Sequence, residues 1–571
     1  MQNNSFKWFT DARFGMFIHW GLYALPGGRW KGETMDYIGE WLQSRFRIPN
    51  QEYAPLAKEF NPVHFDAEEW VRTAREAGMR YLVYTAKHHD GFAMYHSKVS
   101  SYNITDATPF GRDPLRELAD ACKKYDMHLG IYYSQALDWS EADAADPGDS
   151  VSSNFGMSWG NDWDFPDREK KCFHRYFTRK VLPQIRELFT RYAPISLVWF
   201  DCAMIMTPEE TAELVKTVKT LAPDCLINSR IGYGLGDYGS LGDNQHPNGV
   251  SDIPLESPST LNGTWGFKWD DHNWKTPETV AAELIANISS NSNYLLNIGP
   301  MPDGRFPPEA VQVLRKVGHW IHHYAADAVY GAAPNPFSQK LGWGWCTRSK
   351  DYLNFFLRPG SKKLRLCGLS RQNPVQDFTI EQKPDEILPM IRIPFSGSIP
   401  ELPMPQNRIL CLYPAAGEIR HGSDPDKERD KDNEESCLNA AAEKIQTAAH
   451  STLSITGRLS NWHNPADSIL WQIFFPVPGN YRIRLETQSI RHSMPWIGGR
   501  EVEIVCQDQI LHCSLNGDED LHGGCYPSFA SDAGLLTIRE AGVRTLSLRT
   551  TALADPEARF MDLVSLDLLE Q

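Results

Sequence analysis

Over the first 330 of its 571 residues the chain alternates short β-rich runs with amphipathic helical stretches, which predicts βα units around a parallel sheet. The strand runs are FGMFIHW (14–20), YLVYTAKHH (81–89), LGIYYSQ (129–135), SLVWFD (196–201), LINSR (226–230), GSLGDN (239–244), PLES (254–257) and NYLLNIG (293–299). Eight such runs predict a (β/α)8-like barrel over residues 1–330. Helix starts are marked by Asp66 with Glu69, Thr207-Pro208 with Glu210, and Thr276-Pro277, each a capping residue before a suitable first turn. A doubly wound open sheet shares the alternation, but no glycine-rich phosphate turn follows the first strand, so the barrel is favoured. The long polar, Trp-bearing stretch from Asp138 to Lys170 reads as a loop of the kind that forms lids or binding segments.

A single core stops growing at roughly 250 to 300 residues, so further domains are expected beyond the barrel. From 331 to 418 the helical pattern gives way to short alternating runs such as DYLNFFLR and NRILCLYP, which predict a β-sandwich. A charged linker spans 419–436, centred on GSDPDKERDKDNEES, and 437–571 is again β-rich, predicting a further C-terminal domain. The net charge of -15 offers nothing to a nucleic acid or an anionic membrane surface. No apolar run is long enough to span a bilayer, and Met1 to Arg13 lacks the basic-then-apolar pattern of an export signal. Eleven cysteines with no CxxC spacing argue for reduced thiols rather than a disulfide framework or zinc cluster, so a cytoplasmic location is expected.

In such a barrel the carboxyl ends of the strands face the active site. Those ends carry His19, His88, His89, Tyr133, Gln135, Asp201, Asn228, Arg230, Asp243, Glu256 and Asn297. Asp201 ends the most apolar strand, LVWFD, where a carboxylate must be paired or used; pairing with Arg230 is its structural alternative. Asp243 and Glu256 supply further carboxyls, and a retaining glycosidase needs two, one to attack the anomeric carbon and one to exchange protons. Local sequence leaves Asp243 equally suited to a turn and Glu256 to a salt bridge. The adjacent His88 and His89 are expected on opposite faces of a strand, which favours hydrogen bonding to hydroxyls over a shared metal. Glu40 and Trp41 suit a sugar hydroxyl held beneath an aromatic wall. Trp159, Trp163 and Phe165 either stack on a second sugar or anchor the long loop.

Taken in order, FGMFIHWGLYA, KHHDGFAMY, IYYSQ, LVWFD, LINSR and NYLLNIGPMPDG closely resemble glycoside hydrolase family 29, the α-L-fucosidases, over residues 5–335. The resemblance implies a catalytic barrel followed by a β-sandwich, a retaining double displacement and no cofactor. It implies Asp201 as nucleophile and His19, Glu40, Trp41, His88, His89 and Tyr133 as fucose-binding residues; Arg230 and Trp265 are further candidates for substrate binding. For the acid/base it leaves Asp243, in SLGDN, first and Glu256, in LESPSTLNGTWGF, second. YIGEWLQSRFRIPNQEYAPLA and TAKHHDGFAMYHSKVSSYNITDATPF are similar to the subgroup acting on α1,6-linked core fucose. There Trp159, Trp163 and Phe165 would meet GlcNAc, and transfer of fucose to a sugar acceptor would compete with water. The tail from 437 loosely resembles a carbohydrate-binding β-sandwich and could equally serve oligomerisation. The partner class is then a fucosylated glycan, and the rival reading is a non-catalytic fucose-binding protein on the same fold.

Overall fold

The eight strands expected for a barrel are all present: β1 (Phe14–Ile18), β2 (Tyr81–Lys87), β3 (His128–Ser134), β4 (Leu197–Asp201), β5 (Leu226–Ile227), β6 (Gly239–Ser240), β7 (Leu255–Thr260) and β8 (Ser292–Ile298). They come from a computed structural model that describes residues 4–144, 159–203, 205–247 and 249–336. Beyond these it describes 340–341, 344–357, 363–367, 375–379, 383–394, 409–412, 418–420, 452–453, 458–460, 462–475, 478–489, 495–521, 527–540, 542–556, 558 and 561–570. Every neighbouring pair of the eight is parallel, in the order β5-β4-β3-β2-β1-β8-β7-β6. A parallel bridge between Asn228 and Tyr238 joins the two edge strands. β1, β2 and β8 are buried at every position, as strands with side chains packed on both faces must be.

Period-2 alternation sorts these side chains into two layers. Phe17, Tyr81, Tyr132, Leu197 and Trp199 form one apolar cluster inside the barrel. Ile131, Tyr133, Val198 and Phe200 belong to the larger cluster between sheet and helices. Helix α1 (Asn4–Ala12) closes the amino-terminal end, where Trp8 stacks 4.1 Å from His128 and Phe9 lies 4.7 Å from Tyr238.

The outer helices are α2 (Ala67–Glu76), α3 (Pro114–Lys124), α4 (Leu182–Arg191), α5 (Pro208–Leu221), α6 (Pro277–Ser289) and α7 (Pro308–Trp320). Their caps are those marked in the sequence. Asp66 accepts the Glu69 N–H, Thr276 accepts that of Thr279, and Thr207 and Glu210 satisfy each other in a capping box. Each cap contributes about 1 kcal/mol.

Three strand expectations are corrected. LINSR and GSLGDN shorten to two strand residues each, because Ser229–Ile231 turns into a 3-10 helix and glycines 232, 234, 236 and 242 break the following segment. Among the described residues no α-helix links β5 to β6 or β6 to β7. PLES, expected to end at Ser257, instead opens a strand that runs on to Thr260. Pro258 does not stop it, since a proline carbonyl still accepts, here from the Asn244 N–H at 3.0 Å.

The C-terminal half is antiparallel. Gly344–Arg348, Tyr352–Leu357 and Met390–Pro394 form a three-stranded sheet. Further on, Trp471, Ile483, Leu485, Ile504, Leu546 and Leu566 share a separate core. Ile409–Leu412 pairs with Met561–Glu570, and Glu418–Arg420 with Ser468–Phe475, so backbone hydrogen bonds join the segment before 418 to the tail after 437. Of the charged linker expected over 419–436, residues 419 and 420 belong to a strand and the rest lie outside the described residues. Among the described residues no helix is long and apolar enough to cross a membrane.

Candidate active site

Parallel register decides which side chains share the barrel mouth. Tyr132 lies beside Trp199 and Ser134 beside Asp201, so all four follow the inward parity. The Tyr132 hydroxyl donates to Asp201 Oδ2 at 2.9 Å, and Arg230 Nη1 donates to Oδ1 at 3.2 Å. Gln135 locks the pair: its Oε1 accepts the Asp201 N–H at 2.7 Å and its Nε2 donates to the Arg230 carbonyl at 3.2 Å. Burial pushes the Asp201 carboxyl above its ordinary pKa, Arg230 opposes that, and Asp243 adds to it.

The other arm of Arg230 reaches Asp243, with Nη2 2.6 Å from Oδ1, and also donates to the Leu241 carbonyl at 2.9 Å. Its guanidinium lies 4.6 Å above the Trp199 ring. Burial alone would lower the pKa of this arginine, but the two carboxylates hold it above the ordinary value. One cation therefore spans two carboxyls at the mouth. They differ in access, since the Asp243 side chain is 38% exposed and that of Asp201 14%.

His19 bonds through Nδ1 to Asn297 Oδ1 at 2.7 Å, while Asn297 Nδ2 donates to the Trp265 carbonyl at 2.8 Å. The amide orientation makes His19 Nδ1 the donor and leaves Nε2 an acceptor. Burial lowers the His19 pKa to about 4, and those of His88 and His89 fall well below the usual value for the same reason. All three imidazoles are neutral near pH 7.

The expected opposite faces of His88 and His89 are not found: their ring centroids are 4.1 Å apart and both stand at the mouth. β2 ends at Lys87, so the pair lies in a turn where strand alternation no longer applies. His88 stacks on Tyr132 at 5.3 Å, and its buried Nδ1 has no partner. His89 Nδ1 pairs with Ser134 Oγ at 2.7 Å, and its Nε2 is 3.9 Å from Asp201.

Glu40 and Trp41 sit together on a 3-10 turn. Glu40 is buried and accepts the Gly266 N–H at 2.8 Å. Burial raises its pKa to about 8, so it carries a proton near neutrality. The Trp41 ring lies 5.2 Å from His89, 5.3 Å from Trp139 and 4.9 Å from Trp159. Trp163 extends this wall at 6.1 Å from Trp139, and Phe165 follows on the same half-buried segment. The centre of the expected lid, 145–158, lies outside the described residues. Trp265 completes the opposite side, 5.1 Å from His19.

Two expected residues are not brought to the mouth. Tyr133 faces outward, where its hydroxyl donates to Gln184 at 2.8 Å and Lys87 lies 4.9 Å from its ring. Tyr132 takes its place, and only the strand's exact phase separates the two. Replacing Tyr132 with phenylalanine should lower kcat by about tenfold to a hundredfold through the lost hydrogen bond to Asp201. Tyr133→Phe should instead leave kcat within about twofold and lower the melting temperature; steady-state kinetics and thermal melts on both variants check this.

Glu256 stands at the amino end of β7, a layer below the mouth. It accepts from Tyr81 at 2.7 Å, Trp199 Nε1 at 2.9 Å and Tyr238 at 3.2 Å. Its second-choice standing as acid/base is thereby corrected: the strand continues past it to Thr260, so the carboxyl never reaches the open end. Burial raises its pKa to about 7. The folded state keeps this proton where the unfolded chain, with its ordinary carboxyl, has released it. The stabilisation is complete below about pH 4.5 and is lost as pH rises to about 7, on the order of 3 kcal/mol in all. Glu256→Gln should remove that part of the pH dependence in urea melts between pH 5 and 7.5. It should leave kcat within about tenfold, with no response to azide.

Tyr132, Gln135, Trp139 and Asn297 complete the cluster. Gln135 and Asn297 were visible as strand ends, Tyr132 only through the parity of LVWFD opposite it, and Trp139 through no signal beyond its loop. Among the described residues one trio, His89, Asp201 and Cys202, has ligand atoms all within 4.8 Å of one another.

A family model for alpha-L-fucosidase matches residues 1–326. The α-L-fucosidase structure from Vibrio sp. strain EJY3 is similar at 26% identity and a TM-score of 0.79, covering 99% of this chain and 98% of that one. AlfC from Lactobacillus casei, solved with its α-L-fucose product, is 46% identical with a TM-score of 0.54, over 56% of this chain and 98% of its own. A mutant of AlfC solved with Fuca(1,6)GlcNAc is 44% identical with a TM-score of 0.52, over 55% and 97%. The tissue alpha-L-fucosidase of Mus musculus is 27% identical over 433 residues, 67% of this chain and 89% of that relative. With a family model matching more than half of its length, the chain belongs to the α-L-fucosidases, family 29 of the glycoside hydrolases.

Proposed function

We propose that the chain is a retaining exo-fucosidase in which Asp201 attacks the anomeric carbon of a terminal α-L-fucoside. Asp243 protonates the departing oxygen, and the aglycone leaves as an alcohol. Asp243 then takes a proton from water, which displaces Asp201 and releases α-L-fucose. The observation carrying this reading is the Arg230 fork, which holds two carboxyls of unequal exposure at one barrel mouth. A double displacement asks for about 5 to 5.5 Å between two such groups.

Fucose is held by His19, Glu40, Trp41, His88, His89, Tyr132 and Trp265. The neutral imidazoles give and accept hydrogen bonds to hydroxyls, and the protonated Glu40 adds a donor. The aglycone is GlcNAc in α1,6 linkage, received by Trp159, Trp163 and Phe165 beside Trp139; the complex of AlfC with Fuca(1,6)GlcNAc supports this choice. A sugar hydroxyl in the place of water gives transfucosylation. The barrel over 1–330 carries the chemistry, and the C-terminal sheets hold a glycan or a second subunit. Cys122, Cys172, Cys202, Cys225, Cys346, Cys506 and Cys513 are free thiols, which suits the cytoplasm.

Fuca(1,6)GlcNAc should be cleaved at least about tenfold faster, by kcat/KM, than its α1,3 and α1,4 isomers, with the α-anomer of fucose appearing first by NMR. Equal rates on all isomers would reject the linkage, and the β-anomer appearing first would reject the mechanism. Binding of fucose without turnover would make this a glycan-binding protein.

A further inference from the structure

Three donors of different chemistry, the proposed nucleophile among them, meet at the barrel mouth. His89 Nε2 is 4.0 Å from Cys202 Sγ and 3.9 Å from Asp201 Oδ2. The second nitrogen of His89 fixes the tautomer. Ser134 gives its hydroxyl hydrogen to the Leu137 carbonyl at 3.0 Å, so Ser134 Oγ accepts from His89 Nδ1 at 2.7 Å. Nε2 is therefore the lone-pair nitrogen, turned toward the thiol and the carboxylate, as in a histidine oriented for a metal. Cys202 has φ of 61°, a left-handed conformation that a residue with a Cβ seldom adopts. Nothing in fucoside hydrolysis as proposed above uses its sulfur.

A tetrahedral zinc ion holds nitrogen and oxygen at about 2.0 to 2.2 Å and thiolate sulfur at about 2.3 Å, which sets neighbouring donors roughly 3.3 to 3.6 Å apart. Two of the present spacings, 3.9 and 4.0 Å, need to close by a few tenths of an ångström, and the third, between Asp201 and Cys202, lies within 4.8 Å. Mixed nitrogen, oxygen and sulfur donors suit Zn2+ and Co2+ and disfavour Mg2+ or Ca2+, which take oxygen alone.

We infer that His89, Asp201 and Cys202 form an inhibitory site for a thiophilic divalent ion, of which Zn2+ is the nearest chemical match. On binding, the Cys202 thiol releases its proton to solvent. The ion then takes the thiolate, the imidazole Nε2 and one carboxylate oxygen, with water in the fourth place. The oxygen that would attack the sugar becomes a ligand, so the ion and the fucoside exclude each other. That consequence rests on the proposed roles of Asp201 as nucleophile and His89 in holding fucose, whereas the coordination itself does not.

The test uses the full chain freed of metal by chelation. Titration with Co2+ should give one equivalent of binding with a thiolate-to-cobalt charge-transfer band, removed by Zn2+. In parallel, Zn2+ should raise the apparent KM for an aryl α-L-fucoside without lowering kcat, and EDTA should reverse it. Cys202→Ala and Cys202→Ser should each abolish the band and weaken Zn2+ inhibition by about tenfold or more. A band of undiminished strength in both variants, Zn2+ inhibition unchanged in both, or no Co2+ binding to the unsubstituted chain would overturn the site. A Cys202-dependent band with no effect of Zn2+ on turnover would keep the site and overturn the placing of Asp201 and His89 in the fucoside site.

Discussion

Replacing Asp201 with alanine is expected to lower kcat on an aryl α-L-fucoside by about 10⁴-fold or more, which corresponds to about 5 kcal/mol of transition-state stabilisation. The size follows from what the carboxylate does: it forms a covalent bond to the anomeric carbon, and no neighbouring group can replace it. Tyr132 is a weak nucleophile at neutral pH, burial having raised its phenol well above the ordinary pKa. Binding should survive, because His19, His88, Glu40 and Trp41 are held by partners other than Asp201. KM should therefore move by about tenfold at most while kcat collapses. Azide, small enough to occupy the vacated space, should restore turnover and yield β-fucosyl azide, the product of a single inversion. A variant that retained a tenth of the activity would remove Asp201 from the chemistry.

Much of this centre could be read from the chain itself, and the parts that could not have identifiable physical causes. LVWFD announces a buried strand that ends in a carboxylate, since four apolar residues leave one polar group to be paired at the tip; Arg230 does the pairing. The capping residues Asp66, Thr207 and Thr276 were equally plain, because a cap is a local bond whose two partners lie three residues apart. Phase was harder. IYYSQ offers two adjacent tyrosines, and which one faces inward depends on register with β4, a long-range fact that no local window contains. Strand ends failed for a related reason: PLES reads as a strand stopped by proline, yet Pro258 is accommodated with its carbonyl still in use, and Glu256 drops to the closed end of the barrel.

The histidine pair shows the same limit from the other side. Alternation predicts opposite faces for His88 and His89, but alternation holds only while the strand lasts, and a register shift between Thr85 and Lys87 marks where it stops. The partition of the tail was the least legible feature. The charge-rich stretch after 421 suggests a clean break, whereas Ile409–Leu412 finds its hydrogen-bonding partner about 150 residues later, a pairing that composition cannot reveal.

Asp243→Ala should divide substrates by their leaving groups. With 4-nitrophenol as leaving group kcat/KM should fall by about tenfold or less, since that phenolate departs without a proton and kcat/KM reports only the first step. With Fuca(1,6)GlcNAc the loss should reach about 10² to 10⁴-fold, the full value of general acid catalysis. Azide should then rescue to the α-fucosyl azide, retained configuration marking attack on the covalent intermediate rather than on the substrate. The Arg230 fork explains why one residue can serve in both steps. In the free enzyme its guanidinium is shared between two carboxyls, 3.2 Å to one and 2.6 Å to the other. Once Asp201 is esterified it no longer carries charge, and Arg230 is left to hold Asp243 alone in place while it takes a proton from water. Arg230→Ala should accordingly slow release from the intermediate more than its formation, seen as a larger pre-steady-state burst of nitrophenol. Equal loss on both leaving groups, or azide without effect, would move the proton-transfer role away from Asp243.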